Sequence, residues 1–191
     1  MQNSRVCPLK KIILVSGLPG SGKSILGKIA AEKGIPVINM GDIIRDIARE
    51  KNLEPIDKNL GMIAIEIREK FGRAAVAVLA LEKACTTRSP IVVIEGLRSL
   101  EEFDYLRSRV QSYALVAFHA SPKTRFNRLL SRGRSDDPQT WEEFEIRDRR
   151  ELNIGIGSVI ALADIMIVNE NLTVEQLTDL VEKTLENIIR G

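Results

Sequence analysis

The sequence predicts an α/β protein, a doubly wound parallel sheet of five strands with helices on both faces. Three observations carry that prediction. Short apolar runs rich in β-branched residues recur at 12–15, 35–38, 90–95, 113–119 and 165–168. Each is too brief for a helix and apolar on both sides, as a strand covered on both faces must be. Segments of helical periodicity separate the runs, which supplies the crossovers that parallel neighbours require. The first run also leads directly into a glycine-rich turn and a helix, KIILVSGLPGSGKS over 11–24.

That turn is the most specific feature of the chain. Gly17, Leu18, Pro19, Gly20, Ser21, Gly22, Lys23 and Ser24 match G-x-x-x-x-G-K-[ST] at every fixed position, the pattern of a phosphate-binding loop. Glycines let the backbone turn so that successive N–H groups converge on one anion, and the helix over 24–33 points its positive end at the same place. Lys23 is placed to reach the β- and γ-phosphates of a nucleotide such as ATP, and the Ser24 hydroxyl to ligate Mg²⁺.

The remaining elements follow in order. Gly34 caps the first helix, and the second strand ends at Asn39. Helical patterns cover 42–51 and 57–70, the latter with Leu60, Ile63, Ala64 and Ile67 at i, i+3, i+4 and i+7. Gly72 interrupts, and an Ala- and Leu-rich helix covers 73–86. This helical block is an insertion on one side of the sheet. After the third strand, Ser99 and Glu102 form a capping box, and Ser121 with Pro122 starts a helix to about residue 130 after the fourth. The stretch 131–139, SRGRSDDPQ, has many charges and no apolar anchors, and reads as a mobile loop. Thr140 and Glu143 form a second capping box. The fifth strand and a helix capped at Thr173 close the chain.

Composition narrows the classes. The chain has 191 residues, 44% hydrophobic and 28% charged, with a net charge of +2 from interspersed residues. One domain of ordinary globular composition is expected, without a nucleic-acid-coating surface. Cys7 and Cys85 lie far apart and outside any C-x-x-C pair, so the reading expects no metal site or disulfide and a reducing cytosol. No run reaches membrane-spanning length and the first ten residues lack a signal-peptide core, which points to a cytoplasmic protein with no membrane partner.

In such a sheet the strand ends gather 17–24, 39–45, 95–98 and His119 at one crevice. With these motifs the chain resembles the nucleoside-monophosphate kinase branch of the P-loop kinases, and more closely an uncharacterised archaeal family described as adenylate-kinase-related or dephospho-CoA-kinase-like. The resemblance covers nearly all of 11–189 and implies the three-layer P-loop NTPase fold. Gly41-Asp42-Ile43-Ile44-Arg45 is similar to the G-D-x-[LI]-R of adenylate kinases, implying that Asp42 orients Mg²⁺-bound water and Arg45 holds the acceptor phosphate. Glu95-Gly96-Leu97-Arg98 is similar to their D-G-x-x-R, with glutamate for aspartate and one residue fewer, implying Glu95 beside the metal and Arg98 on the acceptor. Arg132-Gly133-Arg134-Ser135-Asp136-Asp137 resembles the G-R-x-D-D of short-lid kinases, implying that Arg132 and Arg134 close on the phosphates and that the carboxylates position Arg134. Arg147 and Arg150 follow on the next helix, with Arg150 taken as the further catalytic arginine. His119 reads as a packed strand-end residue and Trp141 as an anchor of the lid helix.

The resulting expectation is one kinase domain, with acceptor-binding helices at about 40–88 and a lid at about 131–140. It takes a nucleotide and a small phosphorylated acceptor, and it needs no nucleic acid. A nucleoside monophosphate suits the acceptor motif. The runs 121–129 and 163–172 resemble dephospho-CoA kinases instead, which keeps that enzyme as an alternative, but Asn39 stands where a hydroxyl acceptor's base is expected. A nucleotide-gated switch is the third reading, although a switch has no use for Arg45 and Arg98.

Overall fold

The computed structural model describes residues 7–191. Strands β1 (Lys11–Ser16), β2 (Val37–Asn39), β3 (Ile91–Leu97), β4 (Ser112–His119) and β5 (Ile165–Val168) form one sheet in the order β2-β3-β1-β4-β5. All neighbouring pairs are parallel. The helices are α1 (Ser24–Glu32), α2 (Met40–Glu50), α3 (Asp57–Phe71), α4 (Ala75–Thr86), α5 (Leu100–Arg107), α6 (Pro122–Arg132), α7 (Trp141–Ile154), α8 (Ile156–Ala161) and α9 (Val174–Arg190).

Alternation along the central strands builds two cores. Ile12 and Leu14 of β1, with Val92 and Ile94 of β3, pack against α2 to α5 and α8. Ile13 and Val15, with Val93, Val116 and Phe118, pack against α1 and α9. Because both sets come from the same strands, the apolar runs had to be continuous. The chain leaves β1 toward β2 on one side and later crosses to β4 on the other, so the direction of winding reverses at the carboxyl end of β1. That is the position at which open parallel sheets bind ligands.

Several expectations need correction. Cys7 and Cys85 are joined in a disulfide, with Cα atoms 5.0 Å apart despite a sequence separation of 78. The segment entering β1 runs beside the start of β3, Lys10 and Lys11 both donating their N–H to the Pro90 carbonyl, and this brings Cys7 to the last turn of α4. Spacing along the chain cannot report such a contact, and the bridge removes the support that the cysteines lent to a reducing compartment. His119 is exposed, not packed, because it points outward at the end of β4. The Ser99 hydroxyl accepts the Glu102 N–H as expected. Glu102, however, accepts from the Arg98 N–H and from Arg68, so the capping box is only half formed. Helix α8 has no sequence counterpart: Gly155 at φ 119° ends α7, and a further turn and a half buries Ile156 and Val159. No helix among the described residues is long and apolar enough to cross a membrane. The signal-peptide reading falls largely outside the described residues.

Candidate functional site

The glycine loop joins β1 to α1 with Gly17, Gly20 and Gly22 at φ 145°, 81° and 94°. Other residues rarely adopt these conformations, and all three positions are also closed by contact. A Cβ on Gly20 would lie 2.6 Å from the Arg125 carbonyl oxygen, and one on Gly22 would collide with the Asn169 amide. The loop is clamped from both sides. The Asn169 amide donates to the Ser21 carbonyl at 3.0 Å. Arg125, buried on α6, donates to the Pro19 carbonyl at 3.3 Å while its guanidinium is held by Asp148 of α7.

Beside the loop lies a cavity of about 220 Å³. Its lining includes Pro19, Gly20, Gly22, Lys23, Ser24, Asn39, Gly41, Arg45, Glu95, Arg98, Arg128, Arg132, Arg134 and Arg147. Glu95 is the one carboxylate in this lining; Arg45, Arg98, Arg132 and Arg147 are paired with carboxylates behind it, whereas Lys23 and the Arg134 guanidinium have no such partner among the described residues. Burial, with Arg98 and Arg147 nearby, pulls the Lys23 ammonium down to about 8, against the opposing pull of Glu151 and Glu95. Burial pushes the Glu95 carboxyl above its usual range, although Lys23, the Gly27 N–H at 3.0 Å and the Asn39 amide at 3.2 Å work the other way. The Ser24 side chain is exposed and has no hydrogen bond among the described residues, so its oxygen is free for a hard cation such as Mg²⁺. Both Glu95 oxygens already accept a hydrogen bond, so a remaining lone pair or a bridging water is the route left to a cation. The donor set at the loop fits Mg²⁺ through Ser24 first.

A second, smaller pocket of about 40 Å³ adjoins the first and shares Gly41, Arg45, Arg98 and Arg147 with it. Asp57, Asp136, Arg150, Glu151 and Ile154 are among its other lining residues. Every guanidinium here is held by a carboxylate. Arg45 bridges Asp42 at 2.9 Å and Asp136 at 2.8 Å, which overcome burial and keep its guanidinium charged. Arg98 meets Glu151 at 3.1 Å, and Arg150 grips Asp57 with both nitrogens at 2.8 and 2.6 Å. Arg147 reaches Asp136 and Asp57, each at 3.4 Å.

The residues anticipated from sequence therefore converge, with differences. Lys23, Ser24, Glu95, Arg98, Arg132 and Arg134 face the loop cavity together, and Arg45 spans both pockets. Arg150 lines only the smaller one of the two. Asp42 is exposed, lines neither, and contacts Arg45. Asp136 and Asp137 are buried and tie the 131–139 loop down without apolar anchors. Asp137 holds Arg132 and the Arg134 N–H, and these bonds outweigh burial and keep its carboxyl below the usual range. Neither carboxylate positions the Arg134 guanidinium. Trp141 packs edge-on against Phe126 with ring centres 5.3 Å apart, as an anchor does.

The sequence reading misses Arg128, Asn169, Asp57 and Glu151. Arg128 donates to the Asn169 side chain and carbonyl and keeps a buried Nη1 with no partner. It also walls a neighbouring groove of about 400 Å³ between the loop, Leu172 and α9. Arg125, Arg128 and Arg132 stand at i, i+3 and i+7, a spacing that could have shown them on one helix face.

Sheet order, glycine loop and crevice together define the P-loop kinase fold. The solved structure of shikimate kinase from Bacteroides thetaiotaomicron superposes with a TM-score of 0.59 at 18% identity, covering 93% of this chain and 97% of that one. TT1252 from Thermus thermophilus gives 0.63 at 20% identity, over 95% and 97%. Residues 16–145 match a family model described as AAA domain. The UPF0200 protein of Hyperthermus butylicus is 50% identical over 159 residues, covering 83% of this chain and 85% of that protein. That of Pyrococcus furiosus is 45% identical over 184 residues, covering 94% and 98%. The chain belongs to the UPF0200 family.

Proposed function

We propose that the protein is a kinase that transfers the γ-phosphoryl group of ATP to a small phosphorylated acceptor, most simply a nucleoside monophosphate such as AMP. The observation that carries this reading is the pair of adjoining cationic pockets joined through Arg45, Arg98 and Arg147. A protein that only binds a nucleotide needs one of them. Phosphoryl transfer needs both, because charge spread over the γ-phosphoryl oxygens must be met from several sides.

In this reading the chain is one kinase domain, with 40–88 forming the acceptor side and 131–140 the lid. The loop N–H groups and Lys23 hold the β- and γ-phosphates, Arg128 and the groove beyond it receive the base and ribose, and Arg132 and Arg134 close from the lid. Ser24, with Glu95 behind it, would hold Mg²⁺, which would supply positive charge against the phosphates. Arg45, Arg98 and Arg150 orient the acceptor phosphate. One of its oxygens attacks the γ-phosphorus; an O–P bond forms, the bond from γ-phosphorus to the bridging oxygen breaks, and the electron pair leaves with ADP.

No base is required, since the attacking oxygen is already anionic. Two features support this reading. Asn39 caps α2, accepting the Gly41 and Asp42 N–H groups, and the carboxylates lining the small pocket, Asp57, Asp136 and Glu151, are each engaged by arginine. A screen of acceptors with radiolabelled ATP tests the reading. Labelled nucleoside diphosphate is expected. Efficient labelling of dephospho-CoA with all monophosphates untouched would overturn the choice of acceptor.

A further inference from the structure

The small pocket at the acceptor arginines has a volume of only about 40 Å³, enough for part of an anion and far below the 300 Å³ or more that a whole small-molecule ligand occupies. The remainder of an acceptor must lie elsewhere. Arg150 and Ile154 line this pocket on one side and, on the other, a cleft of about 660 Å³ between α3, α7 and the start of α5. Ile65, Ile146 and Ile154 give the cleft apolar walls. Ile146, Arg150 and Ile154 follow one another at i, i+4 and i+8, a continuous stripe along α7 that leads from the cleft to the acceptor arginines.

The charge in this cleft is unexpected for a surface that only accommodates a base. Besides Arg150 it carries Arg68, Arg73 and Arg149, against Glu69 alone among its lining residues. Arg149 is exposed and makes no ion pair or hydrogen bond among the described residues. Arg73 has only a solvent-facing partner, Glu101 at 3.2 Å. Arg68 is nine-tenths buried; its Nη2 donates to Glu102 and its Nη1 to the Ala64 carbonyl, and its Nε–H alone meets no acceptor. Planar guanidinium groups over apolar walls suit an anionic oxygen group attached to a flat or apolar body.

Resting on the kinase reading above, we infer that the acceptor carries a second anionic group, distant from the phosphate that reacts, and that this group is bound in the α3–α7 cleft by Arg149 with Arg73 and Arg68. The substrate class is thus a bis-anionic acceptor, such as a nucleoside bisphosphate, and not a plain monophosphate. The monophosphate serves as its truncated form.

The test uses the full chain with a non-hydrolysable ATP analogue present and measures binding, by calorimetry, of matched pairs: 5′-monophosphates and 3′,5′-bisphosphates of adenosine, guanosine, cytidine and uridine. In at least one pair the bisphosphate is expected to bind about fivefold more tightly, equivalent to about 1 kcal/mol. Arg149→Ala and Arg149→Glu should bring that ratio to about one or below, and Arg149→Lys should retain part of it. Arg149 is exposed, so these variants keep the fold. The inference is overturned if no pair favours the bisphosphate, including the case in which none binds, or if the ratio persists in Arg149→Ala and Arg149→Glu. Binding of the ATP analogue in the same samples reports the donor side separately. Turnover of monophosphates without any preference for bisphosphates would remove this inference alone, whereas loss of ATP binding would count against the kinase reading.

Discussion

Around the glycine loop, Lys23 and the Arg134 guanidinium make no ion pair or side-chain hydrogen bond among the described residues, and Lys23 is depressed to about 8 by burial and by Arg98 and Arg147. Across the same crevice Arg45, Arg98, Arg147 and Arg150 are each held by Asp42, Asp57, Asp136 or Glu151. The two halves store their positive charge differently. On the loop side Lys23 and the Arg134 guanidinium have no carboxylate to give up, so an arriving polyphosphate gains their full attraction. On the other side the arginines are already neutralised and oriented, so an entering anion must displace carboxylates and gains only the difference. Under the kinase proposal, the contrast assigns affinity to the loop side and selectivity to the side of Arg45 and Arg150, where exchange of one oxyanion for another demands matching geometry.

The largest effect should come from removing the uncompensated charge. Lys23→Ala is expected to cut kcat at least about a hundredfold, as loss of one charge-stabilising donor does, with the circular dichroism spectrum unchanged. Equal ATP affinity together with equal activity would refute the assignment of the loop. Arg45→Ala acts on the neutralised half: acceptor KM should rise and kcat fall, about ten- to a hundredfold in kcat/KM, the range for a hydrogen bond to a charged group. ATP binding should scarcely change, and an equal loss for ATP would erase the distinction between the two halves.

The depressed Lys23 makes the loop half sensitive to alkali. Its ammonium is charged below about pH 8 and neutral above it, and phosphate binds the charged form. ATP affinity should therefore fall as pH rises through 8, about tenfold between pH 7 and 9, and binding near pH 8 should take up protons. Calorimetry in buffers of different ionisation enthalpy reads that uptake directly. Flat affinity across this window would show that the lysine is not a principal contact.

Asp57→Asn should release Arg150 and lower acceptor KM by about threefold, since an exposed-side ion pair contributes about 1 kcal/mol or less. A raised KM would instead make Asp57 a support that the arginine requires. The smallest change concerns 131–139. Asp136 and Asp137 already anchor this segment, so nucleotide with acceptor analogue should slow its amide hydrogen exchange only modestly. Identical exchange with and without ligand would rule out a closing lid.

By itself the sequence determined the strands, most of the helices and the glycine loop. Each of these is written in neighbouring residues: apolar runs for strands buried on both faces, Ser121, Thr140 and Thr173 as caps, and glycines where φ must be positive. Only the tertiary structure decided the rest. The Arg150–Asp57 and Arg45–Asp136 pairs span 93 and 91 residues, Cys7 finds Cys85 across the start of β3, and Glu102 abandons its own cap to serve Arg98 and Arg68. Periodicity shows which face of an element is buried but not which element covers it. A charged residue looks the same in sequence whether it faces solvent, a partner carboxylate or a phosphate, because its partner is chosen by sheet order and helix packing.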